Sequence, residues 1–395
     1  MKTDLSTDLL ETPEGQTADK ILRACVHCGF CLSTCPTYSI LGDELDSPRG
    51  RIYLIKQALE DNEVSDNSLK HLDRCLTCRS CETTCPSGVE YGHLLDIGRK
   101  VMEQKSPRPW YQQLFRYTLR TLMTSPKLFS FLTTLAPWTR HHRRNTSLYH
   151  QVKSQAKTLP SDKTVLLISG CVQPSLAPNI NLASKNVLQK LGYHILETPQ
   201  SECCGAVNHH LSGENSALQQ ARHNIDAWSQ HLDQGVEAII SNASGCGVMI
   251  KDYAHLLKDD PVYADKAKRL VKQTFDISEF LTGKDLSQFK KDSNRNIVFQ
   301  SPCTLQHGQK LPGRVESLLT DLGFSLSAVK EPHLCCGSAG TYSIFQKTLS
   351  TQLRDNKLQS LQAESAEIIV TANIGCLLHL QKGTKTPVKH WIELL

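Results

Sequence analysis

The sequence predicts a multidomain α+β protein in which a helical metal-binding domain precedes a duplicated α/β region. Three observations predict it. Cys25, Cys28, Cys31 and Cys35 follow the spacing C-x2-C-x2-C-x3-C-P, and Cys75, Cys78, Cys81 and Cys85 repeat it. Between these runs, SPRGRIYLIKQALE (47–60) places Ile52, Ile55 and Leu59 at helical intervals after a Ser-Pro start, which favours an all-helical module over a small β-rich one. Beyond residue 164, strand-like and helical segments alternate in one order twice over. At 395 residues the chain has room for two or three cores.

Residues 1–20 are polar and acidic, and read as a lead-in without a function of their own. Residues 1–98 form the first expected domain. The spacing of its two runs is the bacterial ferredoxin arrangement for two [4Fe–4S] clusters. A tight loop with cysteines three apart turns three sulfurs onto one cube, and the fourth must arrive from elsewhere. The proline after the fourth cysteine keeps a regular helix from running through it. Tetrahedral zinc is the bland reading of any CxxC pair. Two complete runs with the same gaps and the same proline set it aside, and the length of the chain disfavours a disulfide framework. Arg49, Arg51 and Lys56 fall between the runs; they could raise a cluster's potential, but the default reading is solvated helix charge.

Residues 99–163 read as a basic helical connector. They hold thirteen Lys or Arg against Glu103 and Asp162, a local balance of +11 in a chain of net +5, which leaves −6 for the rest. This asymmetry suggests a docking surface rather than nucleic-acid binding. WYQQLFRYTLRTLMTSPKLFSFLTTLAPW (110–138) mixes aromatics, leucines and cations; it suits an amphipathic surface helix on a partner or on anionic lipid, or helices packed on the protein's own core. HHRR (141–144) reads as a solvated turn. No apolar run of about 18 residues occurs, and no export leader is evident, so the expected location is cytoplasmic, with peripheral contact at the inner face of the membrane.

Two α/β repeats are expected at 164–283 and 296–395. In the first, a strand leads to Cys171, a Cys203-Cys204-Gly205 turn follows, and a second strand leads to Cys246. In the second, Cys303, Cys335-Cys336-Gly337 and Cys376 recur in the same order. Cys171 to Cys203 and Cys303 to Cys335 are both 32 residues; the next intervals are 42 and 40. These eight cysteines and the eight in the runs account for all sixteen. Sites in α/β folds gather at the carboxyl ends of strands, and glycine after each pair permits a sharp turn close to a metal. The pattern points to a metal or redox site rather than to buried small hydrophobes, and face-to-face packing of the halves would bring the thiols to a shared pocket.

With these residues in view, the chain resembles the iron–sulfur subunits of bacterial glycolate oxidases (glycolate dehydrogenases), within the ferredoxin-plus-CCG cysteine-rich family. The resemblance rests on ILRACVHCGFCLSTCPTY, GDELDSPRGRIYLIKQ, LDRCLTCRSCETTCPSGV, HLCCGSAGTY and TANIGC. More broadly it is similar to the cysteine-rich subunits of heterodisulfide reductase, anaerobic glycerol-3-phosphate dehydrogenase and lactate-utilisation systems. The resemblance implies that Cys25, Cys28, Cys31 and Cys85 hold one cubane, and Cys35, Cys75, Cys78 and Cys81 the other. It also implies a third centre, a further iron–sulfur cluster or zinc, drawn from Cys171, Cys203, Cys204, Cys246, Cys303, Cys335, Cys336 and Cys376. Relatives close each half with CxxC; here Met249 and His379 stand in the last place, and only His379 offers a good ligand.

No G-x-G-x-x-G follows a strand, so neither a flavin nor a nicotinamide fingerprint is present. The resemblance therefore implies an electron-transfer subunit, not catalytic alone. A flavin-bearing partner oxidises glycolate to glyoxylate, and single electrons pass through the clusters to an acceptor such as quinone. The alternatives are the same role for glycerol 3-phosphate or lactate, or a zinc-binding scaffold without redox chemistry.

Overall fold

A computed structural model describes residues 1–60, 64–135, 163–198, 201, 203–291, 293–362 and 366–395. The HHRR stretch lies outside the described residues. The N-terminal domain is helical, as the periodicity between the cysteine runs predicts. Thr12 caps the helix Pro13–Ala24 by accepting from Gly15 N–H, and Pro13 stands where its missing N–H costs nothing. The helices Pro48–Glu60 and Tyr91–Lys105 cross closely at Gly98, where a Cβ would lie 2.5 Å from the Ile55 side chain. Ile21, Leu22, Ile52, Ile55, Leu94, Leu95 and Met102 fill the core between them. The polar lead-in contributes too: Leu5 is buried in this core, and Thr7–Leu10 is a short helix. The helix Tyr91–Lys105 runs through residue 98, where the first domain was expected to end, and its Met102 is fully buried.

The connector meets neither of its two sequence readings whole. The helix Trp110–Thr124 has no buried residue, and Trp110, Tyr111, Leu114 and Tyr117 are exposed. Its cations face inward instead. Arg108 grips both Asp73 oxygens at 2.7 and 2.8 Å and reaches Glu103 at 2.6 Å. Arg116 lies 4.9 Å from the Phe345 ring centre, and Arg120 donates to the Leu211 carbonyl. Among the described residues, cations read as part of a docking surface are thus engaged within the protein, Arg108 inside the first domain and Lys100, Arg116 and Arg120 across to the cysteine-rich halves.

The remainder is two parallel four-stranded sheets of one topology. Strands β1 (Thr164–Ile168), β2 (His194–Leu196), β3 (Ala238–Ser241) and β4 (Thr274–Asp276) lie in the order β2-β1-β3-β4. Strands β5 (Ser293–Gln300), β6 (Phe324–Ser327), β7 (Ile368–Thr371) and β8 (Val388–His390) lie as β6-β5-β7-β8. The correspondence extends past the sheets: β4 and β8 each end in a capping box, Asp276 with Glu279 and His390 with Glu393. One apolar core joins the halves, taking Val165, Leu167, Ile180 and Tyr193 from the first and Ile297, Val370 and Trp391 from the second. Polar contacts stitch the seam, where Ser244 N–H donates to Ala372 O and Gly245 N–H to Asn373 Oδ1.

Candidate metal centres

The loops after Ala24 and Arg74 carry the first three cysteines of each run, and left-handed residues turn them. His27 and Gly29 in one loop, and Thr77 and Arg79 in the other, have positive φ. Each run's last cysteine immediately precedes its proline, where an extended residue ends the loop. Two adjoining cavities result. Cys25, Cys28, Cys31 and Cys85 line one; Cys35, Cys75, Cys78 and Cys81 line the other. Cys81 and Tyr91 border both. Both runs thus line each cavity: the second takes one thiol from the first run and three from the second, and the first takes three from the first run and two from the second, Cys81 standing on the shared wall.

The donor set suits an iron–sulfur cubane better than one zinc ion. Four thiolates around zinc, bound at about 2.3 Å, sit about 3.8 Å apart. Among the described residues no three cysteine sulfurs lie mutually within 4.8 Å. Burial pushes the Cys78 and Cys81 thiols far above their usual range and the Cys31 thiol up to about 11. Thiols so raised ionise beside one another only around a compensating cation, which is what a bound metal centre supplies.

Hydrogen-bond donors gather on the second cavity. Thr77 N–H lies 3.4 Å from Cys75 Sγ and Tyr91 Oη 3.6 Å from it; Thr37 Oγ1 is 3.3 Å from Cys35 Sγ. Arg51 overturns its default reading as a solvated charge. It is 1 % exposed and donates to Asp46 Oδ1 at 3.1 Å, to Thr37 Oγ1 at 3.1 Å and to the His71 carbonyl at 2.8 Å, with Cys35 Sγ 4.0 Å away. Burial opposes its charge, but Cys75, Tyr91, Cys35 and Asp46 outweigh that and hold its proton more firmly than usual. Arg49 borders the first cavity while bonded to Glu44, and Lys56 pairs with Glu60.

In the cysteine-rich halves, Gly205 and Gly337 take φ of +89° and +84°, the sharp turn expected after each cysteine pair. Cys171 and Cys203 sulfurs lie 3.4 Å apart, and thiol contacts continue through Cys204 to Cys246. Cys303 and Cys335 lie 3.8 Å apart, and contacts continue through Cys336 to Cys376. These are two quartets, each within its own half, rather than walls of the shared pocket expected from face-to-face packing. The halves meet through Ser244, Gly245, Asn373 and Thr304, beside the thiols rather than through them. His379 Nε2 is 3.1 Å from Ser350 Oγ and 3.2 Å from its carbonyl, and Ser350 in turn donates to Gly337 O. Met249 is buried beside the first quartet.

The quartets differ in their neighbours. Cys303 and Cys335 share an apolar cluster with Leu76 and Cys78, on the wall of the second cavity. The first quartet packs among Ile225, Trp228, Met249 and Tyr253. Two features went unread in the sequence: the burial of Arg51, and a cluster of Asp96, His209 and His210 between domains. Only the HH pair after the first CCG turn hinted at the latter.

These features define an iron–sulfur protein of the dicluster class with two appended cysteine-rich domains. Residues 21–89 match the 4Fe-4S dicluster domain family, and 165–251 and 297–381 match the cysteine-rich domain family. The chain is 48 % identical over 400 aligned residues to the glycolate oxidase iron-sulfur subunit of Escherichia coli, covering 100 % of this chain and 98 % of that one. It is 32 % identical to the probable glycolate oxidase iron-sulfur subunit of Bacillus subtilis, covering 92 % and 89 %. Lactate utilization protein A of Bacillus subtilis is 25 % identical, over 58 % of this chain and 98 % of its own length. A crystal structure of a hypothetical protein from Helicobacter pylori superposes with a TM-score of 0.52 at 11 % identity, covering 98 % of this chain and 73 % of that chain, and shows the fold alone. The chain belongs to the family of glycolate oxidase iron-sulfur subunits.

Proposed function

We propose that this chain is the electron-transfer subunit of a glycolate oxidase complex, with a flavin-bearing partner that oxidises glycolate to glyoxylate. The observation that carries the reading is the pair of adjoining thiol-lined cavities drawn crosswise from two cysteine runs. Clusters bound there supply single-electron relay and no hydride chemistry, so the two-electron step falls to the partner. Cys25, Cys28, Cys31 and Cys85 hold the outer cubane, where Cys28 is exposed. Cys35, Cys75, Cys78 and Cys81 hold the inner one, and Arg51, Thr37 and Tyr91 offset its negative charge. The second quartet beside Cys78 is the favoured third centre; His379 supports its turn through Ser350 rather than ligating.

Among the described residues no helix is long and apolar enough to cross a membrane. The exposed aromatic side of Trp110–Thr124 is suited to the membrane face, where a quinone acceptor would be met. Anaerobic co-purification tests the reading: a flavoprotein should accompany the chain, and glycolate should bleach the joint preparation. About eight irons per chain are expected from the two cubanes, with more if the third centre is iron. Bleaching by lactate or glycerol 3-phosphate instead of glycolate would transfer the role to that substrate. A fully metallated sample containing zinc alone would end it.

A further inference from the structure

Outside the cysteine sites, one cluster of ligand-type side chains joins two domains. Asp96 lies on the helix Tyr91–Lys105 of the dicluster domain, and His209 and His210 end the short helix Ala206–His210 after the first CCG turn. Asp96 Oδ2 is 3.0 Å from His209 Nε2, and Asp96 Oδ1 is 4.0 Å from His210 Nδ1. One ligand atom from each of the three lies within 4.8 Å of the other two. A tetrahedral zinc-class ion, bound by N and O at about 2.0–2.2 Å, needs such atoms about 3.3–3.5 Å apart. Small side-chain rotations close that gap.

Charge decides whether a cation could stay. The other such group, Asp43, Asp46 and His71, is closed to one because Arg51 and Arg74 occupy both Asp46 oxygens. Asp96 differs: among the described residues it pairs with the two imidazoles and with no lysine or arginine. The charges of Arg99 and Arg79 reach the cluster, but their hydrogen bonds go elsewhere, Arg99 to Thr77 and the Leu72 and Cys75 carbonyls and Arg79 to Asp252, while Lys100 pairs with Glu14 and Glu214. All three residues face a wide cleft, so an ion and its water have access. The same cleft holds His93, which stacks at 3.5 Å on His255 and has Nε2 4.0 Å from Asp252 Oδ1.

We propose that Asp96, His209 and His210 bind one divalent ion of the zinc class, with a water completing the set, and that this ion clasps the dicluster domain to the first cysteine-rich half. Imidazole with one carboxylate suits zinc better than magnesium or calcium. The site is independent of the thiols and of the electron-transfer reading.

The test uses the anaerobically purified, iron-loaded full chain, equilibrated with one equivalent of Zn2+ and then dialysed. Zinc content is measured beside zinc K-edge X-ray absorption, on wild type, Asp96→Asn and His210→Gln. The half-exposed His210 makes the second variant mild, because it leaves the Asp96–His209 pair in place. One zinc per chain with an N/O shell near 2.0–2.1 Å is expected, lost in Asp96→Asn and held at least about tenfold more weakly in His210→Gln. Iron content and the cluster absorption should stay at the wild-type level in both. Absence of retained zinc, a sulfur shell near 2.3 Å, or equal retention in His210→Gln would each overturn the assignment.

Discussion

The two cysteine-rich halves share a topology, a capping box and a glycine turn, yet their thiols live in different surroundings. The first quartet is packed among Trp228, Met249 and Tyr253. The second abuts Cys78, and the buried Lys357 lies close enough to feel Cys335, Cys336 and Cys376 while donating to the Glu331 and Pro332 carbonyls. Burial pulls the proton affinity of Lys357 down, and those thiols work against that pull. The duplication kept the scaffold and let the electrostatics diverge. The half that touches the dicluster domain's thiols is also the half provided with a buried cation.

The comparison can be broken most directly at the cysteines. Cys28→Ser should cost about half of the dicluster iron and abolish electron flow to an artificial quinone, while substrate still reduces the partner's flavin; unchanged quinone turnover would refute the relay. Cys335→Ser should alter the EPR signal of the neighbouring cubane, whereas Cys203→Ser should leave it as in wild type. Identical spectra for the two variants would remove the distinction between the halves.

Arg51→Met leaves Asp46 with Arg74 and His71 but strips its most buried partner. A loss of about 3–5 kcal/mol in unfolding free energy is expected, with a lower potential for the inner cluster, measured by denaturation and redox titration. The capping boxes predict a smaller, pH-dependent contrast. Burial pulls His390 down to about 3, against hydrogen bonds involving the backbone of Ala372 and Asn242. The unfolded chain therefore binds the extra proton first, and stability present above about pH 6.5 is lost as the pH falls toward 3. Between pH 6.5 and 5 the loss is about 2 kcal/mol, and His390→Asn should flatten that slope in melting curves. Asp276, at the equivalent place, has its carboxyl raised by burial, so its contribution runs the other way and weakens as the pH rises through the raised value. The smallest effect is expected at His379: His379→Ala should leave metal content intact and cost about 1 kcal/mol through the lost bond to Ser350.

Why some of this was legible in the sequence and some not has a physical basis. Cysteine spacing is a local constraint, because a cube of fixed size dictates the loop that wraps it, so the two runs announced both loops. The repeat was visible because parallel strands buried on both faces read as apolar runs, as in TVLLI and EIIV. Strands β4 and β8 are three residues each, too short for any period to register. The inward turn of Arg51, Arg108 and Arg116 was invisible for another reason. Arginine burial depends on partners that arrive from elsewhere in the chain, the His71 carbonyl 20 residues from Arg51 and Asp73 35 residues from Arg108, and charge counts alone cannot tell a tether from a docking patch. The same holds for Asp96 and His209, 113 residues apart.

The shared core has a consequence for any attempt to shorten this chain. Val165, Leu167 and Ile180 lie against a wall built by Ile297, Val370 and Trp391, so neither repeat is a smaller edition of the whole. Cutting one away would bare the other's oily side to solvent. What reads in sequence as two copies is, in the fold, a pair of halves that complete one another.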